Sequence, residues 1–230
     1  LDKLNITNKK LLSYFDHNEK MRSDELIREL QSGKTVALIT DAGTPGISDP
    51  GYRIVADAHK HKIKVTPIPG PSALTTLVQS SGLPSDCFTF VGFLPNSQKA
   101  KEGLFKSWVH FPGSVVFYET ANRINDTFAI LNTLYPDALC AIGRELTKIH
   151  EQVLQFKVSE AFEHLNPKGE YVCMLDLNQY RHTRRAKEQV LQEITNLLEK
   201  NLSTKDIVQE LVVSNWKKDE LYKLVLDLKK

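Results

Sequence analysis

At 230 residues the chain exceeds one typical domain of about 100–150 residues, which points to two compact units with a small appendage. Hydrophobic residues at 41%, charged residues at 25% and a formal charge of +2 exclude disordered and fibrous classes and give no overall nucleic-acid signal, since that signal is a clustered basic face. No stretch reaches the roughly 18–20 apolar residues of a membrane span and no charged-then-apolar export signal opens the chain, so a cytoplasmic protein away from the membrane is expected.

Ser23 is placed to N-cap DELIRELQS, whose apolar residues recur at helical spacing, and Gly33 is placed to end that helix. TVALIT (35–40) is a continuous apolar and β-branched run, as expected of a strand buried on both faces of a parallel sheet. It enters DAGTPGISDPG (41–51), dense in glycine and proline, after which YRIVADAHKHK resumes a helical pattern. KIKVTPIP (62–69) reads as another strand, and GPSALTTLVQSSG as a turn into a helix with Ser72 near its N-terminus. Two strand-loop-helix units in succession imply a parallel sheet with helical crossovers.

A boundary near Leu94 to Ser97 gives an N-terminal α/β domain over 1–94, a second α/β domain over 95–180 and a helical domain over 181–230. In the second domain SVVFYE (114–119), ALCAIGREL, HEQVLQFKV and GEYVCMLDL read as strands, NRINDTFAILNTLY as a helix and SEAFEHL as a short helical stretch. The tail reads as three helices, with Ser203 capping the second and a break at Ser214 to Lys217 before the third. Arg181, Arg184, Arg185 and Lys187 cluster just before that tail, as a phosphate contact or a solvated linker. Cys87, Cys140 and Cys173 are far apart, lack zinc or redox spacing and read as reduced core residues. No ligand spacing points to a bound metal.

In open parallel sheets ligands bind beyond the carboxyl ends of strands, where helix N-termini and unpaired backbone N–H groups converge. Residues 41–51 occupy such an end: the glycines permit close backbone approach, and Asp41 and Asp49 can accept hydrogen bonds, although a purely structural turn is the alternative. Ser72 either caps its helix or meets a ligand. GRELTKIHE (143–151) sets Arg144, Glu145, Lys148, His150 and Glu151 at another strand end, and FYETANRI (117–124) sets Tyr118, Glu119 and Arg123 at a third; each is a solvated rim or a site.

DAGTPGISDPG, VTPIPGPSALTTLVQSSGLP, GFLP, FYETANRI and RELTKIHE, in this order, resemble the 16S rRNA cytidine 2′-O-methyltransferases, a branch of the tetrapyrrole methylase superfamily. Thr120, Ala121 and Asn122 depart from the Ser-Pro-His usual there. The resemblance implies two α/β domains holding S-adenosylmethionine in the cleft between them, a small C-terminal helical domain, a homodimer and a 16S rRNA substrate in the small ribosomal subunit. It implies that Asp41, Ala42, Gly43, Thr44 and Ile47, with Ser72, Ala73 and Tyr118, line the cofactor. Arg144 and Lys148 are then candidates to hold RNA phosphate or steady a developing alkoxide, and Glu145 or Glu119 to orient or accept the ribose proton. Such sequences begin with a strand and a glycine-bearing turn, and neither is found before Leu1, so an upstream strand-helix unit is expected to be missing. A small-molecule methylase of the same fold and a non-catalytic RNA-binding assembly factor are the alternative readings.

Overall fold

The computed structural model describes residues 5–15, 17–181, 187–211, 216 and 218–229. The chain divides into two compact units, Leu1–Thr75 and Thr76–Lys230.

The first unit is organised by two helices, α1 (Glu19–Gln31) and α2 (Tyr52–Lys60). Leu26 and Ile27 of α1 pack with Ile54 and Ala58 of α2 in a small core joined by Leu12, Tyr14, Leu38 and Ile63. Helix α1 starts four residues before the expected cap, so Ser23 is a buried interior residue whose hydroxyl meets that of Tyr14 at 3.1 Å. The α2 N-terminus is preceded by Gly51, which has no side chain to cap it; the Glu19 carboxylate instead accepts from the Gly51 and Arg53 amides, both at 3.3 Å. An anion there complements the helix dipole as well as the free N–H groups.

The strands expected at 35–40 and 62–69 are not formed: among the described residues of this unit no backbone ladder exists, and the expected parallel sheet is absent with them. Ile39 and Ile68 are 68% and 81% exposed. An apolar, β-branched run has the preference for a strand, but a strand is completed only by hydrogen bonds to a neighbour, and the described residues supply none here.

Helix α3 (Ala73–Ser80) leads into the second unit, whose centre is a sheet in the order β1 (Phe88–Phe93), β2 (Ser114–Thr120), β5 (Glu170–Asp176), β3 (Leu139–Arg144), β4 (Gln152–Lys157). The β1–β2 pair is parallel, joined through helix α4 (Gln98–Ser107), and the other three pairs are antiparallel. The two segments read as HEQVLQFKV and GEYVCMLDL are thus strands of one sheet, each beside β3. The inner strands β2, β5 and β3 are the continuous apolar runs and are buried along nearly their whole length; the edge strand β4 is mostly exposed. Helix α5 (Ile124–Leu134) contributes Ile124, Phe128 and Leu131 to the core, and Trp108 packs tilted on Phe105 and Phe117 with centroids 4.5 and 5.4 Å away. SEAFEHL folds as a 3-10 helix over Val158–Glu163.

Cys140 and Cys173 are buried, whereas Cys87 is exposed, against expectation: it lies in the turn before β1, outside the sheet, where its carbonyl accepts from Ser114 N at 3.1 Å. After the short helix α6 (Asn178–Arg181), the tail forms α7 (Lys187–Glu199), α8 (Thr204–Leu211) and α9 (Lys218–Leu228) around Val190, Ile194, Ile207, Leu211, Leu221 and Val225. Ser203 caps α8 as expected, its hydroxyl accepting from Asp206 N at 3.2 Å. Arg184 and Arg185, and most of the break at 214–217, lie outside the described residues. Among the described residues no helix is long and apolar enough to cross a membrane.

Candidate functional site

In the first unit the glycine-rich loop is built from its own backbone. Thr40 Oγ1 donates to the carbonyls of Ala42 and Gly43 at 3.2 and 3.3 Å, and Ile47 N donates to Thr44 O at 3.3 Å. Gly43 and Gly46 adopt φ of +77° and +80°, and no atom lies within 4 Å of where a Cβ would stand on either. These two positions therefore need glycine for conformation and leave their faces open to an approaching ligand. Asp41, Ala42 and Gly43 are exposed, while Thr44 and Ile47 are partly covered.

Thr44 Oγ1 donates to Pro71 O at 2.8 Å and so brings this loop against the turn that carries Ser72. Ser72 is buried, and its hydroxyl has no hydrogen-bond partner, so it does not cap α3. A buried hydroxyl left without a partner costs on the order of 1–3 kcal/mol, a deficit that a polar ligand at this turn would remove. An open glycine surface, a pinned neighbouring turn and an orphaned buried hydroxyl together fit the polar groups of S-adenosylmethionine. Ala73 follows as the first residue of α3.

In the second unit, sheet register gathers the other candidates at one end. Glu119 of β2 and Arg144 of β3 both pair with Tyr171 of β5, from opposite sides, while Thr120 pairs with Glu170. With strands about 4.7–4.9 Å apart, the Glu119 and Arg144 backbones are roughly 10 Å apart. Tyr118, one residue earlier on β2, meets Phe90 and Phe93 of β1 edge-on at 4.9 and 5.4 Å.

The loop after β3 is folded tightly. Glu145 and Thr147 adopt left-handed φ of 49° and 68° despite having side chains. Glu145 N donates to Glu170 O at 3.1 Å, Glu170 N donates back to Glu145 Oε1 at 3.0 Å, and Lys148 Nζ bridges Glu145 at 3.1 Å and Glu170 at 2.9 Å. Thr147 N donates to Glu151 Oε2 at 2.5 Å. Leu146 lies over Gly143, where a Cβ would come within 2.8 Å of it. Arg144 is held by Lys168 O at 2.7 Å and Gln152 Oε1 at 2.9 Å. The Lys148 ammonium, then the Glu170 amide, hold the Glu145 carboxyl below the usual carboxylate range, and Glu170 and Glu145 raise the Lys148 ammonium above its usual value. Both groups stay charged at neutral pH. Lys148 is thereby a fixed cation, and Glu145 a weak proton acceptor that orients it. His150 is exposed in the same loop, as is Ile149.

Glu119 is in a different situation, buried at 1% exposure. Its Oε2 accepts from Lys101 Nζ at 3.0 Å, Thr127 Oγ1 at 2.7 Å and Arg123 Nη2 at 3.1 Å; its Oε1 accepts from Thr120 N at 2.9 Å and faces Arg123 Nε at 2.9 Å. Its side chain is 0% exposed, so it is covered by these partners and offers no open face to a substrate. Lys101, Thr127 and Glu170 were not candidates from the sequence. A signal for the first two exists: Lys101 falls on the helical stripe of Leu104, Phe105 and Trp108, and Thr127 on that of Ile124, Phe128 and Leu131, so each is a polar residue at a core position.

The profile of the Tetrapyrrole (Corrin/Porphyrin) Methylases matches residues 5–161, more than half of the chain. The chain is 36% identical over 224 residues to the ribosomal RNA small subunit methyltransferase I of Synechocystis sp., covering 94% of this chain and 80% of that protein. It is 34% identical over 225 residues to the enzyme of the same name from Vibrio cholerae, covering 95% and 78%, and 41% identical over 170 residues to that of Thermotoga maritima, covering 73% and 76%. Among solved structures, diphthine synthase superposes with a TM-score of 0.57 at 16% identity over 73% of this chain and 69% of that one. The methyltransferase CobJ does so with a TM-score of 0.53 at 14% identity over 75% and 78%. These two likenesses are of fold alone.

Proposed function

The chain belongs to the tetrapyrrole methylase family, and from that premise we propose that it is an S-adenosylmethionine-dependent methyltransferase acting on the ribose 2′-hydroxyl of a cytidine in small-subunit ribosomal RNA. The observation that carries the reading is the likeness to ribosomal RNA small subunit methyltransferases across nearly the whole chain, which extends past the family profile into the helical tail. The reading includes a cytoplasmic homodimer acting on the 16S rRNA of the assembled small subunit, and the domain limits 1–94, 95–180 and 181–230.

When bound, S-adenosylmethionine supplies an already electrophilic methyl group. Asp41, Ala42, Gly43, Thr44 and Ile47, with Ser72 and Ala73, are assigned to hold it, through the open glycine face and the unpartnered Ser72 hydroxyl. Tyr118 carries the same assignment from the family resemblance. The remaining chemistry is alignment of a ribose oxygen, release of its proton to solvent water as the methyl group is transferred, and stabilisation of the charge it develops. Lys148, held charged and oriented by Glu145 and Glu170, is assigned to that oxygen or to a neighbouring phosphate, and Arg144 to RNA phosphate. Glu145 acts by orienting Lys148.

The test is tritium transfer from labelled S-adenosylmethionine to small ribosomal subunits, followed by nuclease mapping of the product. Label in a 2′-O-methylcytidine is expected, with single-turnover rates lowered about 100- to 1000-fold by Lys148→Ala, the range typical of removing one stabilising group. Label in a tetrapyrrole with none in RNA, or RNA binding without transfer, refutes the reading.

A further inference from the structure

Under the end of β2 lies a charge cluster that the proposed reaction does not use directly. Lys101 of α4 and Glu119 of β2 form an ion pair with side chains only 4% and 0% exposed. Thr127 of α5 links them, accepting from Lys101 Nζ at 2.7 Å and donating to Glu119 Oε2 at 2.7 Å. Arg123, at the N-terminus of α5, pairs with the same carboxylate and extends the network to the turn after β1, donating to Leu94 O at 2.6 Å and to Asn96 Oδ1.

Stability is a poor explanation for this arrangement, because well-packed apolar residues of similar volume commonly replace a buried ion pair with no loss. What it delivers is geometry. One carboxylate ties together α4, α5, the turn at 94–96 and the Thr120 amide at the tip of β2. Thr120 in turn pairs with Glu170, which holds Lys148. Donors from α4, α5 and the tip of β2 converge on this one buried carboxylate, which makes it a fixed anchor for the elements around it.

We propose that Lys101, Arg123 and Glu119 are positioning residues of the methyl transfer: through the register of β2 on β5, where Glu119 faces Tyr171 and Thr120 faces Glu170, they fix the sheet end from which Lys148 meets the RNA. This rests on the reading of Lys148 as the RNA-facing cation.

The test uses the full chain with Lys101→Met, Lys101→Arg and, at the exposed far end of the network where folding is not at stake, Asn96→Ala. Three quantities are read: amide exchange over 118–123 and 144–151, calorimetric affinity for S-adenosylhomocysteine, and single-turnover transfer to small subunits. Lys101→Met is expected to speed exchange in both segments and slow transfer about tenfold while S-adenosylhomocysteine affinity stays within about twofold; Asn96→Ala should do the same to a lesser degree, about threefold, and Lys101→Arg should restore most of the loss. Unchanged exchange and transfer overturn the proposal. So does a loss of cofactor affinity equal to the loss of transfer, which marks general damage. Should Lys101→Met not fold, Asn96→Ala decides. Failure of the wild-type chain to label RNA refutes the function itself and this inference with it, and is read before any variant.

Discussion

Gly169→Ala tests whether the loop after β3 is held in place as a unit. Gly169 has φ +100°, and a Cβ there would stand 2.8 Å from Glu145 Cγ and 3.1 Å from both Cδ and Oε1. Two separable effects follow. A left-handed backbone costs a residue with a side chain about 1–2 kcal/mol. At about 2–4 °C per kcal/mol for a protein of this size, that alone lowers the melting temperature by roughly 2–8 °C. The clash adds a second effect: Glu145 must swing away from the Glu170 amide and from Lys148, releasing the cation that the proposed reaction needs. Calorimetry and single-turnover methyl transfer measure the two together, and a double-mutant cycle separates them. In a Glu145→Ala background no carboxylate remains to be struck, so Gly169→Ala should cost only the backbone strain and have no further effect on transfer. If the drop in melting temperature is as large in that background as in the wild type, the contact with Glu145 is irrelevant; if there is no drop in either, the strained conformation is wrong.

Thiol chemistry gives a second expectation: a maleimide should label Cys87 rapidly in the folded protein, while Cys140 and Cys173, buried with thiols raised by desolvation, label only after unfolding. Rapid labelling of Cys140 or Cys173 would contradict the core described above. A third expectation concerns pH. The Glu145 carboxyl is depressed in the folded state, so its stabilising ion pair is complete above the ordinary value of 4.5 and is lost as pH falls through the lower folded value. Lys148 is raised, so its contribution is complete below 10.5 and is lost only above that. Carbon NMR of the Glu145 carboxyl should show a midpoint below 4.5 that moves toward the ordinary value in Lys148→Ala; a midpoint at or above 4.5 in the wild type would break the bridge assignment.

Much of the candidate site was legible along the chain. The glycine-rich segment at 41–51 and the charged segment at 143–151 announce themselves by composition; residues 145–151 fold as the loop after β3, whereas 41–51 forms its loop without the strand expected before it. Their partners were not legible, because each lies far away in sequence: Thr44 is pinned by Pro71, Lys148 by Glu170, and Glu119 by Lys101 and Thr127. A lysine on the apolar stripe of α4 was the clue to the last of these, and it pointed to a buried counter-charge without saying where one would be found.

What the sequence by itself determined were the elements whose signal is local: the apolar runs of β2, β3 and β5, the stripe of α5, and the Ser203 cap of α8. Tertiary structure decided everything that depends on a neighbour. TVALIT at 35–40 and SVVFYE at 114–119 are equally good strands in composition, yet only the second finds ladders on both sides and is buried, while the first stays unpaired with Ile39 exposed. The same holds for Ser23, drawn inside α1 by the Tyr14 hydroxyl, and for Glu119, turned from a candidate acid–base group into a fixed anchor by the five donor atoms around it. Periodicity and propensity belong to a segment alone, but hydrogen-bond pairing, desolvation and ionisation belong to the pair of segments that meet.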